Sequence, residues 1–274
     1  IRELKSIRQN HPRIQGVNIH DDSFFAGDDK WTNEFCECMK SDVGLPFIAR
    51  MIPRYITAER LERYKAGGLE YVTIGLEGSD RLNKLFNRHE TAASFLKAAK
   101  TVLEANLILT VDVLINNPYE TEQDLREVAL TLNQLPRPNW WVTALSLTAF
   151  PNTALHARAR KDGMLEKFAT DPYDSMLIPS REGAYRTPEF WVQLFHFVLP
   201  HISPQLGARL IELGPGNPGA ARTVERLAKW IIRTKRTTTW THYHLPALYA
   251  VFYRFLRIFA RNRNLPKAMS RVID

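Results

Sequence analysis

The chain has 274 residues, 45% of them apolar, which is enough to bury a sizeable core in one large domain or in one domain with an appendage. No run of eighteen uncharged apolar residues occurs, which argues against a membrane span, and the opening residues lack the apolar stretch of a signal peptide. The net charge of +8 is uneven: from Arg222 to Asp274 twelve Lys/Arg face only Glu225 and Asp274, so this stretch carries +10 and the remainder about −2.

In chain order, "IRELKSIRQNHPRIQG" lacks an initiator Met and reads as the middle of an amphipathic helix, so a fragment of a longer protein is expected. The first apolar stretch, "GVNIHDD", runs to Asp22. A helix over "WTNEFCECMK" follows and carries the two cysteines, Cys36 and Cys38. They make no disulfide framework, so a reducing cytoplasm is expected, and they read as structural thiols, with a two-residue metal site as the alternative. Next come "LPFIARM" around Arg50 and a helix over "TAERLERYKAGG", with Thr57 as N-cap and Gly67-Gly68 as its stop. "YVTIGLE" then runs to Glu77, the helix "TAASFLKAAKTVLEAN" leads to "ILTVDVLINN" at Asn117, and "TEQDLREVALTLNQL" leads to "WWVTALSLTAF" at Phe150. These five apolar stretches end 28, 27, 40 and 33 residues apart. Strand–helix–strand at this period predicts a parallel sheet. Right-handed crossovers would wind it one way, toward a barrel or an open part-barrel. Trp140 and Trp141 adjoin the fifth strand and are expected in the core. His20 and His89 read as hydrogen-bonding groups, since neither has a partner at metal-ligand spacing.

From Glu166 the pattern changes, and a boundary is placed near residue 165: a barrel over 1–165 and a helical, basic extension over 166–274. "PYDSMLIPSREGAYRTP" is loop-like, while "EFWVQLFHFVLPHI", "AARTVERLAKWIIRTKR" and "LPALYAVFYRFLRIFARNR" read as helices.

Ligands bind at the carboxyl ends of strands in such folds. Those ends are polar in this chain: Asp21, Asp22 and Ser23; Arg50; Glu77 and Ser79; Asn116, Asn117, Pro118 and Glu120; Thr148, Pro151 and Thr153. Asp22 or Glu120 could instead be the N-cap of the next helix. Capping does not require the arginine that ends "PFIAR". Together the five ends suit a ligand with an ammonium, a carboxylate and a ribose diol, since carboxylates accept from amines and hydroxyls and Arg forks onto a carboxylate.

Over roughly Val17 to Leu155 the sequence resembles the radical SAM superfamily, in the branch often fused to a cobalamin-binding domain. "VNIHDDSFF" resembles its strand ending in Asp-Asp-x-Phe, "FIARMIP" its strand ending in Arg, and "YVTIGLEGSDRLNKLFNRHET" its Gly-Ile-Glu-Ser-Gly-Ser segment. "VLINNPYETEQDL" resembles Gly-x-Pro-Gly-Glu-Thr, and "SLTAFPNT" the Pro-Gly-Thr strand end. The resemblance implies an α/β fold, a partial (β/α) barrel of which strands two to six are present. It implies a TIM-barrel-like, cytoplasmic, iron-sulfur enzyme that cleaves S-adenosylmethionine reductively with a 4Fe-4S cluster to give a 5′-deoxyadenosyl radical, or that carries out cobalamin-linked methyl transfer. It further implies Asp21 and Asp22 near the methionine amine, Arg50 on the cofactor or substrate side, and Glu77 on the ribose. Ser79 follows in the same segment, and Asn116, Asn117 and Pro118 line the adenosyl end. An electron donor such as a flavodoxin or ferredoxin is the implied partner. No catalytic residue and no metal ligand is assigned within the chain.

The family's Cys-x-x-x-Cys-x-x-Cys cluster motif cannot be formed from two cysteines. Truncation is the expected reason; a degenerate, non-catalytic barrel acting as a binding or scaffold protein is the alternative. "GLEGS" is a residue shorter than the family segment, and "NNPYET" puts Asn116 and Tyr119 where glycines are usual, so that Tyr119 could reach into the pocket. The last basic helix suits contact with an acidic membrane surface, docking on another domain, or plain solvation. Nucleic acid is not expected, since charge alone without a binding motif supports it.

Overall fold

The computed structural model describes residues 1–21, 24–26, 28–168 and 189–244, with side chains as far as Thr234. Five parallel strands form one sheet in chain order: β1 (Val17–Ile19), β2 (Phe47–Arg50), β3 (Leu69–Glu77), β4 (Ile108–Ile115) and β5 (Trp140–Ser146). The helices between and around them are α1 (Arg2–Asn10), α2 (Asp29–Cys38), α3 (Ala58–Ala66), α4 (Asp80–Leu85), α5 (Ala92–Glu104), α6 (Glu122–Asn133) and α7 (Ala154–Lys161). Consecutive order means that every crossover steps the same way, the mark of a singly wound sheet.

Side-chain alternation explains which face the helices take. On β3 the residues Val72, Ile74 and Leu76 are 0–3% exposed, and β3 and β4 contact α5. There Phe95, Ala98, Ala99 and Val102 complete the apolar layer. Tyr71, Thr73 and Gly75 point the other way and are half-buried. This second face carries a polar row in register: Arg50 pairs with Thr73, Thr73 with Thr110, and Thr110 with Trp141. The alternation also corrects one expectation. Trp140 is 3% exposed on the helix side, but Trp141 is 37% exposed on the opposite face, edge-on to Tyr71 at 5.8 Å.

The helix starts follow capping chemistry. Thr57, Ser79, Thr91, Thr121 and Thr153 each accept from a backbone N–H of the first turn, and Thr91 and Thr121 complete capping boxes with Ser94 and Asp124. Thr121, not Glu120, is thus the cap of α6. At the end of α3, Gly67 lets α2 approach: a Cβ there would stand 2.7 Å from the Cβ of Cys36.

Residues 189–201 form helical turns, α8 starting at Glu189; α9 spans Pro204–Leu213 and α10 Pro218–His244. Trp191, Phe195, Val198, Ile211, Val224 and Ala228 join the same buried core as the strands. Arg126 on α6 holds α9 by donating to the carbonyls of Ile211 and, at 2.9 Å, Glu212, capping that helix's C-terminal end. The loop-like segment 172–188 and the expected helix over 245–263 lie outside the described residues.

Candidate functional site

The carboxyl end of β3 departs from regular strand geometry. Gly75 pairs with Asp112, but the next pair is Glu77 with Val113, so Leu76 is an extra residue, as in a β-bulge. Glu77 has φ +63°, a left-handed conformation that costs a side-chain-bearing residue about 1–2 kcal/mol. The turn holds it there: the Gly78 amide donates to Leu76 O at 2.7 Å, and Ser79 immediately caps α4. The result swings the Glu77 carboxylate back over β3. A Cβ on Gly75 would lie 2.8 Å from Glu77 Oε1, so the glycine vacates the space that this side chain uses. Glu77 is paired with Arg88.

Two loops beside this turn are tied by one buried carboxylate. Asp124, at the start of α6, accepts from Ser79 Oγ (2.5 Å), from Arg81 Nε (2.9 Å) and Nη2 (2.6 Å), and from Thr121 N (2.8 Å) and Oγ1 (2.5 Å). Burial opposes its ionisation, but the bonds from Arg81, Ser79 and Thr121 outweigh burial and hold the carboxyl well below the usual carboxylate range. The loop after β3 and the loop after β4 are therefore locked together.

Glu77 lies on the shared wall of two cavities. The larger, about 590 Å³, lies against the polar sheet face and is lined by Arg50, Arg54, Thr73, Gly75, Glu77, Arg88, His89, Glu90 and Asp112. The smaller, about 320 Å³, is more apolar, with Leu82, Phe86, Leu114 and Leu155 beside Glu77, Asn117 and Arg158. In the larger cavity Arg50 reaches across β3 to Asp112, Nη1 to Oδ2 3.0 Å. Burial pushes the Asp112 carboxyl above its ordinary range, and Arg50 pulls it back only in part. A polar cavity joined to an apolar one suits a ligand with a charged end and a flat, less polar end.

Of the expected site residues, Arg50 and Glu77 meet in the larger cavity, and Glu77 and Asn117 in the smaller. Ser79 is 1% exposed, with its hydroxyl between Leu82 N and Asp124, and lines neither cavity. Asn116, left-handed at φ +57°, donates to Ser146 Oγ at 2.7 Å, and neither it nor Pro118 lines these cavities. Asn117 accepts from Tyr119 N at 3.0 Å. The Tyr119 hydroxyl goes to Asp162, 2.8 Å, rather than into either cavity. Asp21 is exposed after β1, and Asp22 lies outside the described residues. The reading of strand ends missed Arg88 and Asp112. Asp112 did leave a signal: it is the one charge inside the β-branched run "ILTVDVLI".

Among the described residues no three His, Cys, Asp or Glu side chains gather as a metal site. Cys36 is buried, with its thiol pushed up to about 11 by burial. The model of the radical SAM superfamily matches residues 1–132, which include β1 to β4 and most of α6.

Residues 1–132 are similar to the radical SAM superfamily.

One solved radical SAM structure shares the fold, and two others are similar in part. TsrM, a radical S-adenosylmethionine methyltransferase from Kitasatospora setae, with tryptophan substrate and aza-SAM bound, is 16% identical, with a TM-score of 0.50 over 59% of this chain and 32% of that one. Archaeal Elp3 from Methanocaldococcus infernus has 12% identity and a TM-score of 0.47 over 61% of this chain and 45% of its own. Coproporphyrinogen III oxidase from Escherichia coli, HemN, also has 12% identity, with a TM-score of 0.44 over 66% and 41%. The chain thus spans less than half the length of each of these proteins. No curated protein matches it significantly. The sheet is a radical SAM partial barrel of five parallel strands, followed by a helical region. Among the described residues no helix is long and apolar enough to cross a membrane.

Proposed function

We propose that this chain supplies the S-adenosylmethionine-binding wall of a radical SAM enzyme. The observation that carries the reading is the position of Glu77, held in a strained turn on the shared wall of the two cavities, with Arg50 and Asp112 in one and Asn117 in the other. The donors and acceptors fit the cofactor. Glu77 can accept from a ribose diol, Arg50 can fork onto a carboxylate, and the adjoining apolar cavity can take an adenine ring. Bound S-adenosylmethionine would supply a sulfonium whose C–S bond an external one-electron donor could cleave to methionine and a 5′-deoxyadenosyl radical, or a methyl group for transfer. The chain's own residues bind, orient and screen it. Gly75 leaves room for the Glu77 carboxylate, Arg88 neutralises that carboxylate, and Asp124 holds both neighbouring loops in place. The cluster does not fit this chain's residues: there are two cysteines, one of them buried, and no step is assigned to it.

The test is calorimetric titration of S-adenosylmethionine into the protein. Binding is expected, and Glu77→Gln should weaken it about tenfold, the worth of one hydrogen bond to a charged group. Undiminished binding by Glu77→Gln rejects the assignment. The cysteine count also favours a second reading, a barrel that binds without catalysis. Formation of 5′-deoxyadenosine by the protein from the complete reading frame, reconstituted anaerobically with iron and sulfide, would exclude it.

A further inference from the structure

The helix α10 has two unlike faces. Ala220, Val224, Ala228 and Ile231 are 0–5% exposed and pack toward the 189–213 helices. Arg222, Arg226, Lys229, Trp230 and Arg233 are all exposed. At 3.6 residues per turn these five fall within an arc of about 100°. Trp230, 64% exposed, has the largest exposed fraction of the large hydrophobic side chains among the described residues. The stripe's acidic neighbour, Glu225, is already paired with Lys229.

We propose that this outer face of α10 docks on an anionic lipid surface. The arginines of the stripe attract acidic headgroups, with Lys229 shared with Glu225, while the Trp230 indole at the edge of the arc settles at the interface. The sequence that follows has the same chemistry: "LPALYAVFYRFLRIFARNR" interleaves aromatic and aliphatic residues with arginines and contains no acid. A nucleic acid would engage the cations but offers little to so many apolar side chains. Among the described residues no helix is long and apolar enough to cross a bilayer, and the proposal is contact with its surface.

Co-sedimentation of the full chain with vesicles tests this. The protein should pellet with phosphatidylcholine–phosphatidylserine vesicles and stay in solution with phosphatidylcholine alone, and raised salt should release it. Arg226→Glu combined with Arg233→Glu should lower partitioning about tenfold or more, and Trp230→Ala should lower it several-fold while keeping the preference for anionic lipid. The salt release is read on the unaltered protein, so it stands even if a variant folds poorly. Equal binding to both vesicle types, binding to neither, or folded variants that bind like the original overturns the proposal. So does tighter binding to an RNA duplex than to anionic vesicles.

Discussion

The carboxylate of Glu77 occupies the space in which a side chain on Gly75 would stand, 2.8 Å from Glu77 Oε1 to the ideal Cβ. Two residues apart on one strand, they could not both carry side chains on that face in this geometry. Gly75→Ala is therefore expected to displace Glu77 from Arg88 with a stability cost of only about 1 kcal/mol, since what must shift is a flexible side chain and not backbone. S-adenosylmethionine affinity should fall about tenfold or more. Chemical denaturation and calorimetry, measured together, check this; a loss of stability without loss of affinity would show that Gly75 serves the fold alone.

The left-handed turn at Glu77 predicts an inverted ranking of substitutions. Both Glu77→Gly and Glu77→Ala lose the Arg88 partner, so their difference isolates the backbone. The glycine variant should be the more stable by about 1 kcal/mol, opposite to the order in an ordinary strand. Urea unfolding midpoints decide it.

The half-exposed Arg50 and the buried Asp112 form a pair on the polar sheet face, and the pH dependence of its loss has a definite sign. The Asp112 carboxyl is raised on folding, so its protonated form is the one the fold prefers. Any stability gained from it is present below the unfolded value and is lost as pH rises through the folded value. Arg50→Met should steepen that loss at neutral pH and leave stability near pH 3 almost unchanged. Adding Asp112→Asn should restore most of it. A double-mutant cycle at both pH values is the measurement.

Asp124 behaves in the opposite sense. Its carboxyl is depressed on folding, so its contribution is fully present above the ordinary carboxylate value and is lost as pH falls through the lower, folded value. Asp124→Asn should cost about 3 kcal/mol at neutral pH, because Arg81 and Ser79 lose a buried acceptor, and should flatten the acid limb of the stability curve.

The cysteines differ in reactivity. Cys36 is buried and its thiol is pushed up to about 11, whereas Cys38 is partly exposed. Iodoacetamide under native conditions should label one site, and Cys38→Ser should abolish that label within the same interval. Rapid double labelling would show that α2 opens.

The strands were legible because each lies in a short apolar stretch whose end is marked by polar residues. Their order was legible because the period between ends leaves room for a helical crossover. Thr57 could be read as a cap from its place before an apolar-periodic run, and it is one. The site was less legible. Arg50 and Asp112 are 62 residues apart, and no local pattern joins them. Ser79 sat in a matching segment, yet its hydroxyl is consumed by a cap and a carboxylate, a fate set by the fold around it. Trp141 was expected inside because it adjoins a strand and large aromatic side chains are mostly buried. In this sheet α5 covers one face, and the other lines a cavity.

The Asp124 hydrogen bonds have a mechanical consequence. Ser79 ends the loop after β3 and Arg81 follows it in the first turn of α4, while Thr121 ends the loop after β4; Ser79 donates to Oδ1, Thr121 to Oδ2 and Arg81 to both. Neither loop can swing without dragging its neighbour or breaking several charge-assisted bonds together. The rim beside Glu77 is in effect one lip with a shared hinge, and a ligand pressing on either loop moves both.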